Sequence, residues 1–382
     1  MRINLLPFII LVSIGCLPIS AQSTSCLDLF RGFRVFEPEV NPTGRDEFYV
    51  STIAWYGKCI LIGSSDGLWL YNLYQPDNAI KLARIEGRTI SNVAVNPVSQ
   101  TIAFSITEEP TVYLIDSDTE VSSLTSSGQA VTAISFSPDG SLMAVASSDI
   151  DNLNGFYHDA RVQIWNSEHE LLTVLSGDAQ QFVDVFITSD GSSVLTHGVN
   201  WGYIGDIVEY WDLDTDSLIW DYSDLLRSLD QWSINDPLAV TLVSARDVVL
   251  ALGGLDGFMH WDEFYGTAVH IWDSNTQTRL NEIVIHRRGS DHDDPLRSMA
   301  LSSDGLTLAT AQLDGTINLW STIDGSLLSE TVLSAGVVYQ LAFSADDGLL
   351  SALSDQAVVV LNVEALEEIA SFDVVPRSAD DE

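Results

Sequence analysis

Lysine is almost missing from this 382-residue chain, with Lys58 and Lys81 the only two. Sixteen basic residues face 54 acidic ones, for a net charge of -38. Such a surface repels nucleic-acid phosphates and anionic membranes, so nucleic acid is excluded as a partner and cations or basic partners are favoured. Cysteine is scarce too, at three residues, and no Cys-rich metal spacing occurs. The chain also lacks an H-E-x-x-H helix motif and a Gly-rich phosphate loop. Nothing here points to catalysis, and no cofactor or metal is expected. Beyond the N-terminus no apolar run is long enough to be a transmembrane span.

What the chain does have is alternation. Residues 296–321 read LRSMALSSDGLTLATAQLDGTINLWS. Apolar residues recur at every second position, and the runs are broken by Asp304-Gly305 and Asp314-Gly315. Period-two alternation with Asp-Gly breaks predicts strand, tight turn, strand, tight turn, strand. Glycine takes positive φ without steric cost, and Asp bonds its own backbone nearby.

The unit recurs. Trp320-Ser321 falls in register with Tyr71-Asn72, Ile115-Asp116, Trp165-Asn166, Trp211-Asp212, Trp272-Asp273 and Leu361-Asn362, at intervals of 41 to 61 residues. The first turn recurs as Asp139-Gly140, Asp190-Gly191, Asp304-Gly305 and Asp347-Gly348. Seven copies at this spacing match the period of propeller blades. On these residues the chain resembles the WD-repeat β-propellers, whose repeats end in Trp-Asp. Trp211-Asp212 and Trp272-Asp273 carry that dipeptide literally, while the Gly-His pair that often opens such repeats is absent, as in a divergent member. The resemblance implies an all-β fold, a seven-bladed β-propeller of four-stranded antiparallel blades over residues 47–374. Trp272 and Trp320 are expected to be buried between blades.

The N-terminus predicts an export signal over residues 1–21: Arg2, an apolar stretch at 5–17, then Ile19-Ser20-Ala21 as a small-residue exit. The protein is therefore expected outside the cytoplasm: periplasmic, cell-surface or secreted. A lipoprotein anchor at Cys16 is the alternative. Loss of the signal leaves Cys26 and Cys59, which pair in an oxidising compartment or stay as two buried thiols. Within the 22–46 segment, residues 33–36 are expected to form a short strand. Residues 369–374 should supply the fourth strand of blade seven, so closure is expected by packing of blade one on blade seven. Strand exchange through residues 33–36 is the alternative. Residues 375–382 are expected to be a disordered tail. Asp212, Asp214 and Asp216 are spaced like a calcium loop but lack its turn glycine and distal Glu. A short helix is expected around 224–230.

Function on such a scaffold sits in loops. Blades one and six have minimal connections between their second and third strands, Ser65-Asp66-Gly67 and Leu313-Asp314-Gly315. Blades three, four and five lengthen that connection, at 149–159, 198–206 and 254–267. The insertions carry Phe156, Tyr157, His158, Trp201, Tyr203, Phe258, His260, Trp261 and Tyr265, with Asp206, Asp256, Asp262 and Glu263 among them. Aromatics beside carboxylates suit a basic protein or peptide, or the face and edge of a sugar ring. This predicts an exported, non-catalytic recognition scaffold that binds a protein or peptide. A glycan-binding module is the alternative, with a propeller hydrolase behind it. Packing of the aromatics on one another as a plug is the competing structural account.

Overall fold

A computed structural model describes residues 26–30, 33–37, 50–85, 87–151, 155–188, 190–200, 207–221, 237–242, 249–255, 266–273, 278–287, 296–354 and 356–373. Seven four-stranded antiparallel sheets follow one another along the chain, each built from consecutive strands. Blade one holds β1 (Val50–Tyr56), β2 (Cys59–Ser64), β3 (Gly67–Asn72) and β4 (Gln75–Arg84). Blade two holds β5 (Ile90–Val95), β6 (Ile102–Ile106), β7 (Thr111–Ile115) and β8 (Val121–Thr125). Blade three holds β9 (Ala130–Phe136), β10 (Leu142–Ile150), β11 (Tyr157–Asn166) and β12 (Leu171–Ser176). Blade four holds β13 (Gln181–Ile187), β14 (Ser193–Val199), β15 (Ile207–Asp212) and β16 (Ser217–Asp221). Blade five holds β17 (Pro237–Leu242), β18 (Val249–Leu255), β19 (Gly266–Asp273) and β20 (Thr278–Arg287). Blade six holds β21 (Leu296–Leu301), β22 (Thr307–Gln312), β23 (Thr316–Ser321) and β24 (Leu327–Val332). Blade seven holds β25 (Val338–Phe343), β26 (Leu349–Ser354), β27 (Ala357–Asn362) and β28 (Glu367–Asp373).

The blades stand around a central cavity as a propeller. Inner strands β1, β5, β9 and β13 pack in succession, as do β17, β21 and β25, and β25 meets β1. The cores lie between neighbouring sheets, because each sheet is apolar on both faces. Ile60, Ile62, Val358 and Val360 join blades one and seven. Closure there is by packing and side-chain bonds. The Gln340 side chain accepts from Ile53 N at 2.9 Å and donates to Ile53 O at 3.2 Å, while Trp55 Nε1 donates to Ala342 O at 2.9 Å. The expected strand at 33–36 is not formed. Only Phe36 pairs, in a parallel bridge to Ala83 on the outer strand of blade one, and its ring packs on Phe104 and Tyr113 of blade two. Cys26 and Cys59 form a disulfide with Cα atoms 6.2 Å apart.

The Asp-Gly turns form as the alternation predicts. Asp314 Oδ1 accepts from Thr316 N at 2.8 Å, and Gly315 takes φ 86°, where a Cβ would meet Leu333 O at 2.8 Å. In the first turns a hydroxyl two residues earlier joins in: Ser137 Oγ donates to Asp139 Oδ1 at 2.6 Å and Ser344 Oγ to Asp346 Oδ1 at 2.7 Å. These bonds, with the Ser141 amide on Asp139 and the Gly348 amide on Asp346, hold both carboxyls below their ordinary value. In blade seven the turn pair is therefore Asp346-Asp347 rather than Asp347-Gly348, and Asp347 itself takes φ 56°. Asp tolerates the left-handed region better than most residues. The Asp212 carboxylate caps its own turn, accepting from Thr215 N and Thr215 Oγ1, each at 2.8 Å. The expected helix at 224–230 lies outside the described residues.

Candidate functional site

Pairing joins the ends of all three lengthened connections, and that of blade three is described along its length except at 152–154. β10 and β11 have nine and ten residues, against six each for β22 and β23 of blade six. Their pairing runs past a bulge at Ser147/Asp149 to Asp149↔His158 and Ile150↔Tyr157. The insertion is thus a hairpin extension that carries its tip about 10 Å beyond a minimal turn. Asp151 N donates to Phe156 O and Gly155 N to Asp151 O, both at 2.8 Å, with Gly155 at φ 73°.

At the tip Phe156 is 55% exposed. Tyr157 is half-buried, and burial, then the Glu108 charge, raises its phenol above the ordinary value. His158 Nδ1 lies 2.9 Å from Asp159 Oδ2. Donor atoms of Asp149, His158 and Asp159 all fall within 4.8 Å of one another, a spacing that could hold a cation. The Arg161 guanidinium already bonds Asp149 at 2.5 Å and supplies positive charge there. The adjoining turn of blade two adds Glu108 and Glu109, both 3.6 Å from Arg88. Among the described residues, this hairpin and the adjoining turn of blade two thus carry Glu108, Glu109, Asp149, Asp151 and Asp159 against the guanidinium groups of Arg88 and Arg161.

The loops linking blade two to three and blade three to four lie on this same side, pinned by polar side chains two residues before Trp165 and Trp211. Gln163 Oε1 accepts from Ser127 N at 2.7 Å, and Glu209 Oε1 accepts from Asp178 N at 3.0 Å. Both side chains are buried, at 3% and 2% exposure. Glu209 comes so close to the link that a Cβ on Gly177 would meet its Oε2 at 2.1 Å. These bonds fix the loop bases that frame the face.

Of the residues expected in the site, Phe156, Tyr157 and His158 come together on this hairpin. Trp201, Tyr203, Asp206, Asp256, Phe258, His260, Trp261, Asp262, Glu263 and Tyr265 lie outside the described residues. The structure adds two groups at the central cavity, a space of about 680 Å³, which is lined in part by Arg297 and Tyr339. Register shifts against β22 and β26 leave each of them as the extra residue of a bulge in its inner strand. Tyr339 is 56% exposed, and Arg297 is exposed as well. A basic side chain at the start of an otherwise apolar inner strand was the signal for Arg297 in the sequence. The run Gly63-Ser64-Ser65-Asp66-Gly67 spells G-x-S-x-G, but it spans the turn between β2 and β3. A nucleophile elbow needs a strand, a turn and a helix. The motif's serine, Ser65, sits in that hairpin turn with strand on both sides.

Two segments of the chain, residues 118–166 and 285–321, match the family model described as WD domain, G-beta repeat. The chain is also similar to a protein of Dictyostelium discoideum called periodic tryptophan protein 2 homolog, at 23% identity over 327 residues. That match covers 83% of this chain and 31% of the relative, so the chain spans about a third of the relative's length.

Proposed function

Since the chain is a WD-repeat β-propeller, a fold that serves as a scaffold for protein interaction, we propose that it is an exported recognition scaffold. It binds a protein or peptide through the face bearing the lengthened connections of blades three, four and five. The observation that carries this is Phe156, a large aromatic left 55% exposed at the end of a projecting hairpin that also bears the carboxylates of Asp149 and Asp159. Exposed aromatics are costly unless they bind. The acidic surround selects a basic partner and speeds its approach at low salt. Trp201, Tyr203, Phe258, Trp261 and Tyr265 supply further anchors on the same face, and Arg297 and Tyr339 extend it to the channel. The pairing of Cys26 with Cys59 supports an oxidising compartment, in keeping with residues 1–21 as an export signal. The test is cross-linking of the mature protein in its native compartment, run beside a glycan array. The expected result is one basic protein partner, lost with both Phe156→Ala and Trp261→Ala. A partner retained by both variants, or binding to glycans alone, would overturn the proposal.

A further inference from the structure

We propose that the outer edge of blade three is a second docking site, which takes an extended peptide with an aliphatic centre and basic flanks as an added fifth strand. An outermost strand presents a row of unpaired N–H and C=O groups, and proteins usually blunt such edges with charge. This chain does so on most blades. β16, β20, β24 and β28 each contain at least one charged residue, as does β4. Only β8 and β12 contain none among the described outer strands.

β12 reads LLTVLS and leaves Leu171, Leu172 and Val174 exposed by 45%, 55% and 42%. Its pairing with β11 is regular from Thr173 to Ser176, and a bulge sets Leu172 apart. The same bulge falls at Ile219, Leu280, Leu328 and Ile369, all exposed aliphatics, in the next four blades. Those four strands keep a charge that resists strand addition, and β12 does not. No described residue pairs with the outer side of β12.

The chain itself demonstrates edge pairing. Phe36 N donates to Leu82 O at 3.0 Å and Arg84 N to Phe36 O at 2.9 Å, on the outer edge of β4. The occupant of β12 follows from charge. Exposed Glu168 and Glu170 stand before the strand and exposed Asp178 follows it, so both ends are acidic and the middle is apolar. A strand with aliphatic side chains at its centre and lysines at its ends matches that pattern. Main-chain bonds would supply affinity, and the alternating side chains would supply selectivity.

The proposal rests on the reading of the chain as a recognition scaffold but uses a surface apart from the hairpin. Phe156→Ala and Val174→Lys therefore report on different sites. The probe is the capped peptide Lys-Val-Thr-Ile-Val-Thr-Lys, titrated calorimetrically into the mature protein. Binding is expected, together with amide-exchange protection along Thr173–Ser176. It should weaken about tenfold or more with Val174→Lys, at unchanged melting temperature, and with N-methylation of the central Ile. Leu172→Lys serves the same purpose if Val174→Lys does not fold. Glu-flanked peptide should bind more weakly, and more so at low salt. No binding at about 1 mM peptide, or equal binding by the N-methylated peptide, would overturn the proposal. So would wild-type dimerisation abolished by Val174→Lys, since the occupant would then be a second copy of this chain.

Discussion

The recurring tryptophans show how one side chain decides the fate of another. Trp320 is half-buried rather than fully buried, packed beside the core between blades five and six. Its Nε1 donates to Thr310 Oγ1 at 2.9 Å, and Trp211 Nε1 reaches Thr196 Oγ1 at 3.3 Å. In blade three the matching position is Val145, and the Trp165 Nε1 has no partner. Thr310→Val should leave the Trp320 indole in the same state and cost about 1 to 2 kcal/mol in denaturant unfolding. Two residues before Trp272 stands His270, 2% exposed, with Nδ1 accepting from Arg279 Nη1 at 3.3 Å. Burial pushes its imidazole below the ordinary 6.5, with Glu282 opposing and Arg279 assisting. The unfolded chain then binds a proton below 6.5 that the folded chain refuses, so this group costs stability as the pH falls through that value. Melting temperature should drop between pH 7.5 and 5.5, and His270→Gln should flatten that part of the slope; an unchanged slope would remove His270 from the account.

At the scale of elements, the N-terminal segment is the part that alternation in the sequence did not reveal. A 3₁₀ turn at Cys26–Phe30 sets Phe30, 2% exposed, against Tyr56, and the disulfide ties it to β2. The cysteine pair was legible as two leftovers of an exported chain, but spacing alone left pairing and free thiols open. The bridge from Phe36 to β4 was not legible, since a single long-range contact leaves no periodic trace. Strand edges were legible to within a few residues, because apolar alternation and Asp-Gly turns carry them. β4 begins earlier than its apolar residues suggest, at Gln75, since pairing to Asn72 continues the hairpin through polar positions. The disulfide closes a separation of 33 residues. Removing it by Cys26→Ser should cost about 3 to 4 kcal/mol by chain entropy. Calorimetry that finds no loss would mean the segment is not held in the folded state.

For the whole molecule, the seven-fold repeat gave the architecture and left the face undetermined. Repeats record what packs, so the blades were readable. Insertions depart from the repeat, and their residues carry no periodic constraint. Phe156 is legible as an aromatic in an insertion, yet only the extended pairing of β10 and β11 shows that it projects. The central claim is that the aromatic insertions bind rather than plug. The measurement is melting temperature and partner binding for Trp261→Ala, Phe156→Ala and Trp320→Ala side by side. The account predicts that the first two weaken binding by about 1 to 4 kcal/mol at unchanged melting temperature. Trp320→Ala should instead lower the melting temperature, by an amount equivalent to about 3 kcal/mol. If Trp261→Ala lowers the melting temperature as much as Trp320→Ala does, the insertions are packing, and the binding face lies elsewhere.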